Sequence, residues 1–217
     1  MRQRLTIERL HSELREQIVN RSIPPGAKLS EIALCKKWKI SRTPLREVLR
    51  QLESEGLVAS RRNRGFMISP ITLDDVTQLY PIRISLEGLA GKLATPLLSQ
   101  DPAKLKVLEN MCVEMERFFR RGEIEAYISK NNEFHSYIWR SCENRWLIKI
   151  LENLSSQVNR FMVKSLHVPN RINRSVQEHR EIYEKLKTGN GKAVERAIQT
   201  NHRKAFEDLR REFIISG

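Results

Sequence analysis

The chain has few cysteines, no long apolar run, and fewer acidic residues than basic ones. Cys35, Cys112 and Cys142 are an odd number without a close pair. That excludes a disulfide framework and a cysteine zinc site, and it suits a reducing compartment. No segment is apolar enough to span a bilayer. There is no lysine-rich tail, no lipidation signal and no signal-peptide core in the polar N-terminus. The expectation is a cytoplasmic protein with no membrane partner. Internal repeats and low-complexity segments are absent too, and no strand pattern appears beyond about residue 70.

What is present is basic charge and helical periodicity. Lys plus Arg number 39 against 26 Asp plus Glu, a net +13 over 217 residues, a length that allows two modest domains. Residues 1–70 hold 15 basic and 7 acidic side chains, or +8, and the remaining 147 residues hold 24 and 19, or +5. A basic domain is the electrostatic footprint of a nucleic-acid binder, because lysine and arginine release counterions from phosphates.

The densest signal is Ser41-Arg42-Thr43-Pro44-Leu45-Arg46-Glu47 and the five residues after it. Thr43 is expected to cap a helix with Pro44 in its first turn. Leu45, Val48, Leu49 and Leu52 share one face, while Arg42, Arg46 and Arg50 line another. Ser41 and Thr43 place hydroxyl donors at an end whose free N–H groups and dipole suit a phosphate. Arginine adds a planar fork matched to guanine O6 and N7. Taken alone, this stretch also fits a solvated amphipathic helix, and its flanks decide between the two. Before it, Ile7, Leu10, Leu14 and Ile18 stripe a first helix that ends at Ile23-Pro24-Pro25-Gly26. Ser30 caps a second helix to about Lys39, with Ile32, Ala33 and Trp38 as its packing residues. After it, Gly56 stops the helix. Leu57–Ser60 and Phe66–Ser69 then flank the turn Arg61-Arg62-Asn63-Arg64-Gly65 as a hairpin. A cationic hairpin after a helix-turn-helix is a wing, placed to meet phosphates or a minor groove, although a basic hairpin alone is often only a soluble edge.

Pro25-Gly26, Leu29-Ser30-Glu31, Ser41 to Glu47, Leu52, Glu55-Gly56-Leu57-Val58 and Arg64-Gly65-Phe66 resemble the GntR family of bacterial transcription regulators over about residues 7–70. The resemblance implies DNA contacts from Arg42, Thr43 and Arg46 in a recognition helix and from Arg64 and Gly65 in the wing. It also implies a homodimer reading a pseudo-palindromic operator. With the basic face and tip, the candidate DNA-binding residues are Ser41, Arg42, Thr43, Arg46, Arg50, Arg62, Arg64 and Gly65.

Beyond the linker Ser69-Pro70-Ile71 the pattern is all helical. Val76, Leu79, Leu86, Ala90 and Leu93 stripe a long helix that Pro81 should kink or interrupt and Pro96 should end. A second runs from Asp101-Pro102 to about Arg121, and a third to about Cys142. A fourth carries Leu147, Ile150, Leu151, Leu154, Val158 and Phe161. A fifth opens with Ser175-Val176-Gln177-Glu178 as a capping box, and a sixth follows Gly189-Asn190-Gly191. The expected fold is mainly α: a winged helix over 1–70 and an antiparallel bundle of six to seven helices over 71–217.

The third helix puts Asn131 and His135 on its apolar face beside Tyr127, Phe134, Ile138 and Cys142. His179 lies 11 residues before Asn190 and His202 lies 12 after it, so a helical hairpin brings them to nearly one height. One such histidine is more often a satisfied core residue. Three with mirrored placement leave a metal or anion site equally open, and imidazoles with an oxygen donor suit Zn²⁺ or Ni²⁺.

Arg83 with Leu86-Glu87, Phe134-His135, Asn144, Glu178-His179-Arg180 and His202 resemble the all-helical FCD effector-binding domain of the FadR subfamily within GntR, over about residues 73–215. The resemblance implies a metal set of Asn131, His135, His179 and His202, with Asn131 where the family has Asp, and small carboxylate effectors at or beside the metal. An amide oxygen can ligate but brings no charge, so weaker affinity is expected. Arg83 is the candidate carboxylate clamp; an ion pair with Glu87 is the alternative. The functional expectation is an effector-responsive regulator, a repressor, and not an enzyme. The competing readings are a metal-free acyl-CoA-type sensor and a metal-dependent hydrolase with a DNA-targeting domain.

Overall fold

The computed structural model describes residues 7–61, 65–166 and 170–216, with side chains described up to Arg160 in one helix and Arg211 in another. The chain forms two compact units, Met1–Thr72 and Leu73–Gly217.

In the first unit, α1 (Ile7–Val19), α2 (Glu31–Trp38) and α3 (Arg42–Ser54) pack on a small antiparallel sheet of β1 (Lys28–Leu29), β2 (Val58–Arg61) and β3 (Gly65–Ile68), in the order β1-β3-β2. Leu10, Leu14 and Ile18 meet Leu45, Val48, Leu49 and Leu52 in one core with Trp38, Leu57, Val58 and Ile68. The hairpin register pairs Val58 with Ile68 and Arg61 with Gly65. Gly56, at φ +73°, turns the chain out of α3, and the Leu57 N–H donates to the Leu52 carbonyl. Strand β1 is absent from the sequence reading because two residues carry no alternation.

Three local expectations are corrected here. Ser41, not Thr43, occupies the cap position of α3, and Thr43 lies inside the first turn. Ile32 is 70% exposed and Ala33 is also exposed. The short α2 packs instead through Leu34, Cys35 and Trp38, the spacing that faces α3. Lys39 adopts a left-handed conformation at the end of α2, and the Ile40 N–H donates to the Cys35 carbonyl, making the tight turn into α3.

Among the described residues the second unit is a bundle of six helices: α4 (Leu73–Ser99), α5 (Pro102–Arg121), α6 (Ile124–Arg140), α7 (Arg145–Leu166), α8 (Arg171–Lys187) and α9 (Gly191–Ser216). Helix α4 packs along α9 and also meets α6 and α7, while α5 lies on α6 and α8. Asp101, Asn144 and Asn190 cap α5, α7 and α9 through side-chain oxygens that accept from Ala103, Leu147 and Ala193.

Pro96 does not end α4, contrary to expectation, and the helix also runs uninterrupted through Pro81. Pro96 removes the N–H that would reach the Lys92 carbonyl, and that carbonyl lies instead against Gly191, where a Cβ would come within 3.0 Å of it. Packing on α9, α7 and α6 offsets the roughly 3 kcal/mol that an interior proline costs. The buried face of α4 also differs: Leu93 is 39% exposed, whereas Arg83 and Glu87 are inside. Ile150 of α7 is likewise exposed. Ser175 does not cap α8, which begins a turn earlier at Arg171, where a buried arginine pairs with Glu178 and Asp208. Among the described residues no helix is long and apolar enough to cross a membrane, and all three cysteines are free.

Candidate functional site

The apolar back of α3 is fully buried, so its opposite face must point outward. Arg42, Thr43, Arg46 and Arg50 are exposed there and, with Glu47 and Gln51, line a shallow concavity. Ser41 precedes them, exposed. Arg46 is oriented by α2: its Nε donates to Glu31 Oε1 at 2.8 Å and its Nη2 to Oε2 at 3.2 Å. That guanidinium holds the Glu31 carboxyl below the usual carboxylate range. At the wing, Arg61 and Gly65 are exposed and paired across the hairpin, with Gly65 at φ +73°. Arg62 and Arg64 lie outside the described residues.

In the bundle four helices converge on a buried polar centre. Helix α6 supplies Asn131 and His135, α8 His179, α9 His202 and α4 Arg83 with Glu87, and all six are under 5% exposed. His135 lies between the other two imidazoles, with ring centroids 5.0 Å from His179 and 4.6 Å from His202. Its Nε2 is 3.1 Å from His179 Nε2, and its Nδ1 is 3.5 Å from Glu87 Oε2. His202 Nε2 is 2.8 Å from the same carboxylate oxygen, and Arg83 Nε donates to the other, Oε1, at 2.6 Å. His179 Nδ1 donates to the Ser175 carbonyl at 2.6 Å, and Phe134 stacks edge-on against the His179 ring. Asn131, one turn before His135, donates to the Asn132 side chain at 3.4 Å.

Electrostatics follow from this packing. Burial drives the Glu87 carboxyl upward, but Arg83 and His202 outweigh it and hold the group well below the carboxylate range. Burial, then the neighbouring His202, keeps His135 well below its ordinary value. Burial drives His179 down to about 3 against the pull of the Ser175 carbonyl, and lowers His202 against the pull of Glu87. At neutral pH the centre therefore holds three neutral imidazoles and an ionised carboxylate. These are nitrogen and oxygen donors of the type that hold Zn²⁺ or Ni²⁺.

Of the two readings of Arg83, a clamp for a ligand carboxylate or an ion pair with Glu87, the structure shows the ion pair. Glu87 thereby joins Arg83 to the imidazoles, which the sequence reading missed; the signal was an Arg–Glu pair at i and i+4. A second polar layer was missed as well. Arg171 donates to Glu178 at 3.0 Å and faces Asp208 at 3.4 Å, and Asn201 donates to Glu178 at 2.7 Å. Among the described residues, the buried Tyr80 and Tyr127 hydroxyls make no close hydrogen bond.

A helix-turn-helix with a basic outer face and a hairpin wing, carried in one chain with a helical domain around a buried polar centre, is the plan of a bacterial transcription regulator. The chain belongs to the GntR family: residues 6–68 match bacterial regulatory proteins of the gntR family, and residues 78–203 match the FCD domain. It is 30% identical to the HTH-type transcriptional regulator YdhC of Bacillus subtilis over 201 residues, covering 92% of this chain and 89% of YdhC. It is 25% identical to the HTH-type transcriptional repressor RspR of Escherichia coli over 205 residues, covering 94% and 88%. Among solved structures, E. coli McbR/YncC superposes with a TM-score of 0.83 at 19% identity, over 95% of this chain and 98% of that one, a likeness of fold.

Proposed function

We propose that this regulator is a cytoplasmic homodimeric repressor that reads a pseudo-palindromic operator and is released by a small carboxylate effector bound in the helical bundle at or beside a divalent metal. Ser41, Arg42, Thr43, Arg46 and Arg50 meet the major groove, and Arg62, Arg64 and Gly65 follow the backbone from the wing. The exposed basic face of α3, set opposite an apolar face that is wholly buried, is the observation that carries the DNA reading. The metal reading rests on the convergence of three neutral imidazoles and a carboxylate. From the sequence, Asn131, His135, His179 and His202 are its donors, and Arg83 assists the effector. A bound dication supplies a fixed positive charge for a carboxylate, and the role assigned to the bundle is binding, with no reaction. The sign of regulation follows RspR, whose name gives it as a repressor.

The dimer reading is supported by an apolar strip on the bundle. Ile82, Leu89 and Leu93 of α4 and Trp146 and Ile150 of the adjoining α7 are 38–63% exposed. The test of the whole reading is native mass spectrometry of the protein purified without chelator. A dimer carrying one metal per chain and a small organic acid supports it. A metal-free monomer that carries a thioester-linked acyl ligand instead would replace it with the acyl-CoA-type reading.

A further inference from the structure

On the outer side of the bundle, α8 and α9 leave a solvent-facing cleft of about 480 Å³ between them, with Glu178 and Asp208 on its inner wall. Glu178 is only 7% exposed, and its two oxygens differ. Oε2 accepts from Arg171 at 3.0 Å and from Asn201 at 2.7 Å. Oε1 is buried and, among the described residues, has no hydrogen-bond partner. Lys204 lines the same cleft and lies over Oε1, with Nζ 3.4 Å away but outside hydrogen-bond geometry. A buried carboxylate oxygen without a donor is costly, and a cationic N–H donor recovers that cost. The Lys204 side chain is 51% exposed, so an arriving ammonium or guanidinium displaces it with little loss.

The charges of the cleft are sorted along its length. The Glu178–Lys204 pair marks one height, and the Arg174–Asp208 pair, at 2.7 Å, marks another. Arg174 lies four residues, about 6 Å, nearer the start of α8 than Glu178. Arg211 lies seven residues, about 10 Å, beyond Lys204 on α9, in the same direction because the helices are antiparallel. At the first end Glu178 and Glu181 outnumber Lys204 by one. At the second, Arg174, Arg211 and the underlying Arg171 outnumber Glu207 and Asp208 by one. The whole set is neutral, so neither a simple cation nor a simple anion matches it. A molecule that carries both charges does.

We propose that this cleft binds a linear zwitterion, with an ammonium or guanidinium at one end and a carboxylate about 6–10 Å away at the other, as in an ω-amino acid or an extended basic amino acid. The cationic end takes the place of Lys204 and donates to Glu178 Oε1, with Glu181 beside it. The carboxylate faces Arg211 and the Arg174 guanidinium, whose planar forks suit it. The site uses none of the three buried histidines and needs no metal.

The test is calorimetric titration of the full-length protein, in chelator, with 6-aminohexanoate as the probe. One equivalent should bind, and hexylamine and hexanoate should each bind at least about tenfold more weakly, because each satisfies one end alone. Glu181→Gln and Arg211→Gln, both at exposed positions, should each weaken binding at least about threefold. Lys204→Met uncovers Oε1 and should tighten it by a similar factor. Glu178→Gln should abolish binding, and the exposed variants decide the matter even if that protein does not fold. No binding at millimolar probe, or equal affinity for hexylamine, would overturn the proposal. Binding that Glu181→Gln and Arg211→Gln both leave unchanged would put the molecule elsewhere and overturn it as well.

Discussion

Arg46 of α3 donates from Nε and Nη2 to the two carboxylate oxygens of Glu31 in the preceding helix, at 2.8 and 3.2 Å. The same fork geometry matches guanine O6 and N7. The pair holds a long, half-exposed side chain over the outer face of α3, and on the proposed reading it is a contact that DNA must displace or share. Glu31→Gln removes the competing charge. We expect affinity for random duplex to rise several-fold, most at low salt, and the ratio of operator to random affinity to fall, because a freed Arg46 contacts phosphates indiscriminately. Fluorescence anisotropy on both duplexes at two salt concentrations measures this. Unchanged random-duplex affinity would mean that the pair does not govern Arg46.

Helices α4 and α9 approach closely at Gly91. A Cβ there would come within 2.3 Å of Ile198 Cδ1, a terminal methyl that is itself buried. Gly91→Ala should therefore lower stability by about 1–2 kcal/mol through overpacking, despite the better helix propensity of alanine. Ile198→Val removes that methyl. In the valine background the alanine should become neutral or stabilising, a reversal of sign that urea midpoints of the four proteins will show. Equal effects in both backgrounds would contradict the close approach.

Much of this was legible in the sequence where one helix carries the whole signal. The two faces of α3 follow from i, i+3, i+4 spacing, and all four apolar positions are fully buried. The height argument about Asn190 pairs His179 with His202, the apolar face of the third helix adds His135, and the three rings lie in one centre. What escaped depends on partners far apart in the chain. Glu87 joins the cluster only because α4 lies along α9, and Arg171 is buried only because Asp208 reaches it from α9. Pro96 reads as an end because local rules do not include the packing that carries α4 on to Ser99. Ile32, Leu93 and Ile150 are apolar yet exposed, which periodicity cannot foresee.

Of these, Leu93 and Ile150 belong to the apolar strip on α4 and α7. If this strip seats the proposed dimer, Leu89→Glu with Trp146→Glu should give a monomer in sedimentation velocity where the unmodified protein sediments as a dimer, with far-ultraviolet circular dichroism unchanged. A persisting dimer would move the interface elsewhere.

Acid should weaken the metal-free bundle. The three imidazoles have folded pKa values below the ordinary 6.5, so the unfolded chain binds more protons as pH falls beneath that value. Their contribution is complete above about pH 6.5 and is lost progressively below it. Glu87, held low in the fold, adds a loss in the same direction below about pH 4.5. In chelator, the urea midpoint should drop between pH 7.5 and 5, and less steeply in His179→Gln. A flat profile would place the histidines in a solvated setting.

The most direct test of the account is selection of binding sites from a random duplex pool by the purified protein, followed by affinities for the selected site. We predict enrichment of a pseudo-palindrome. Arg42→Ala and Arg46→Ala should each lower affinity for it by roughly tenfold to a hundredfold while leaving random-duplex binding far less affected. Failure to enrich any sequence, or unchanged affinity in both variants, would remove α3 from the DNA interface and contradict the account.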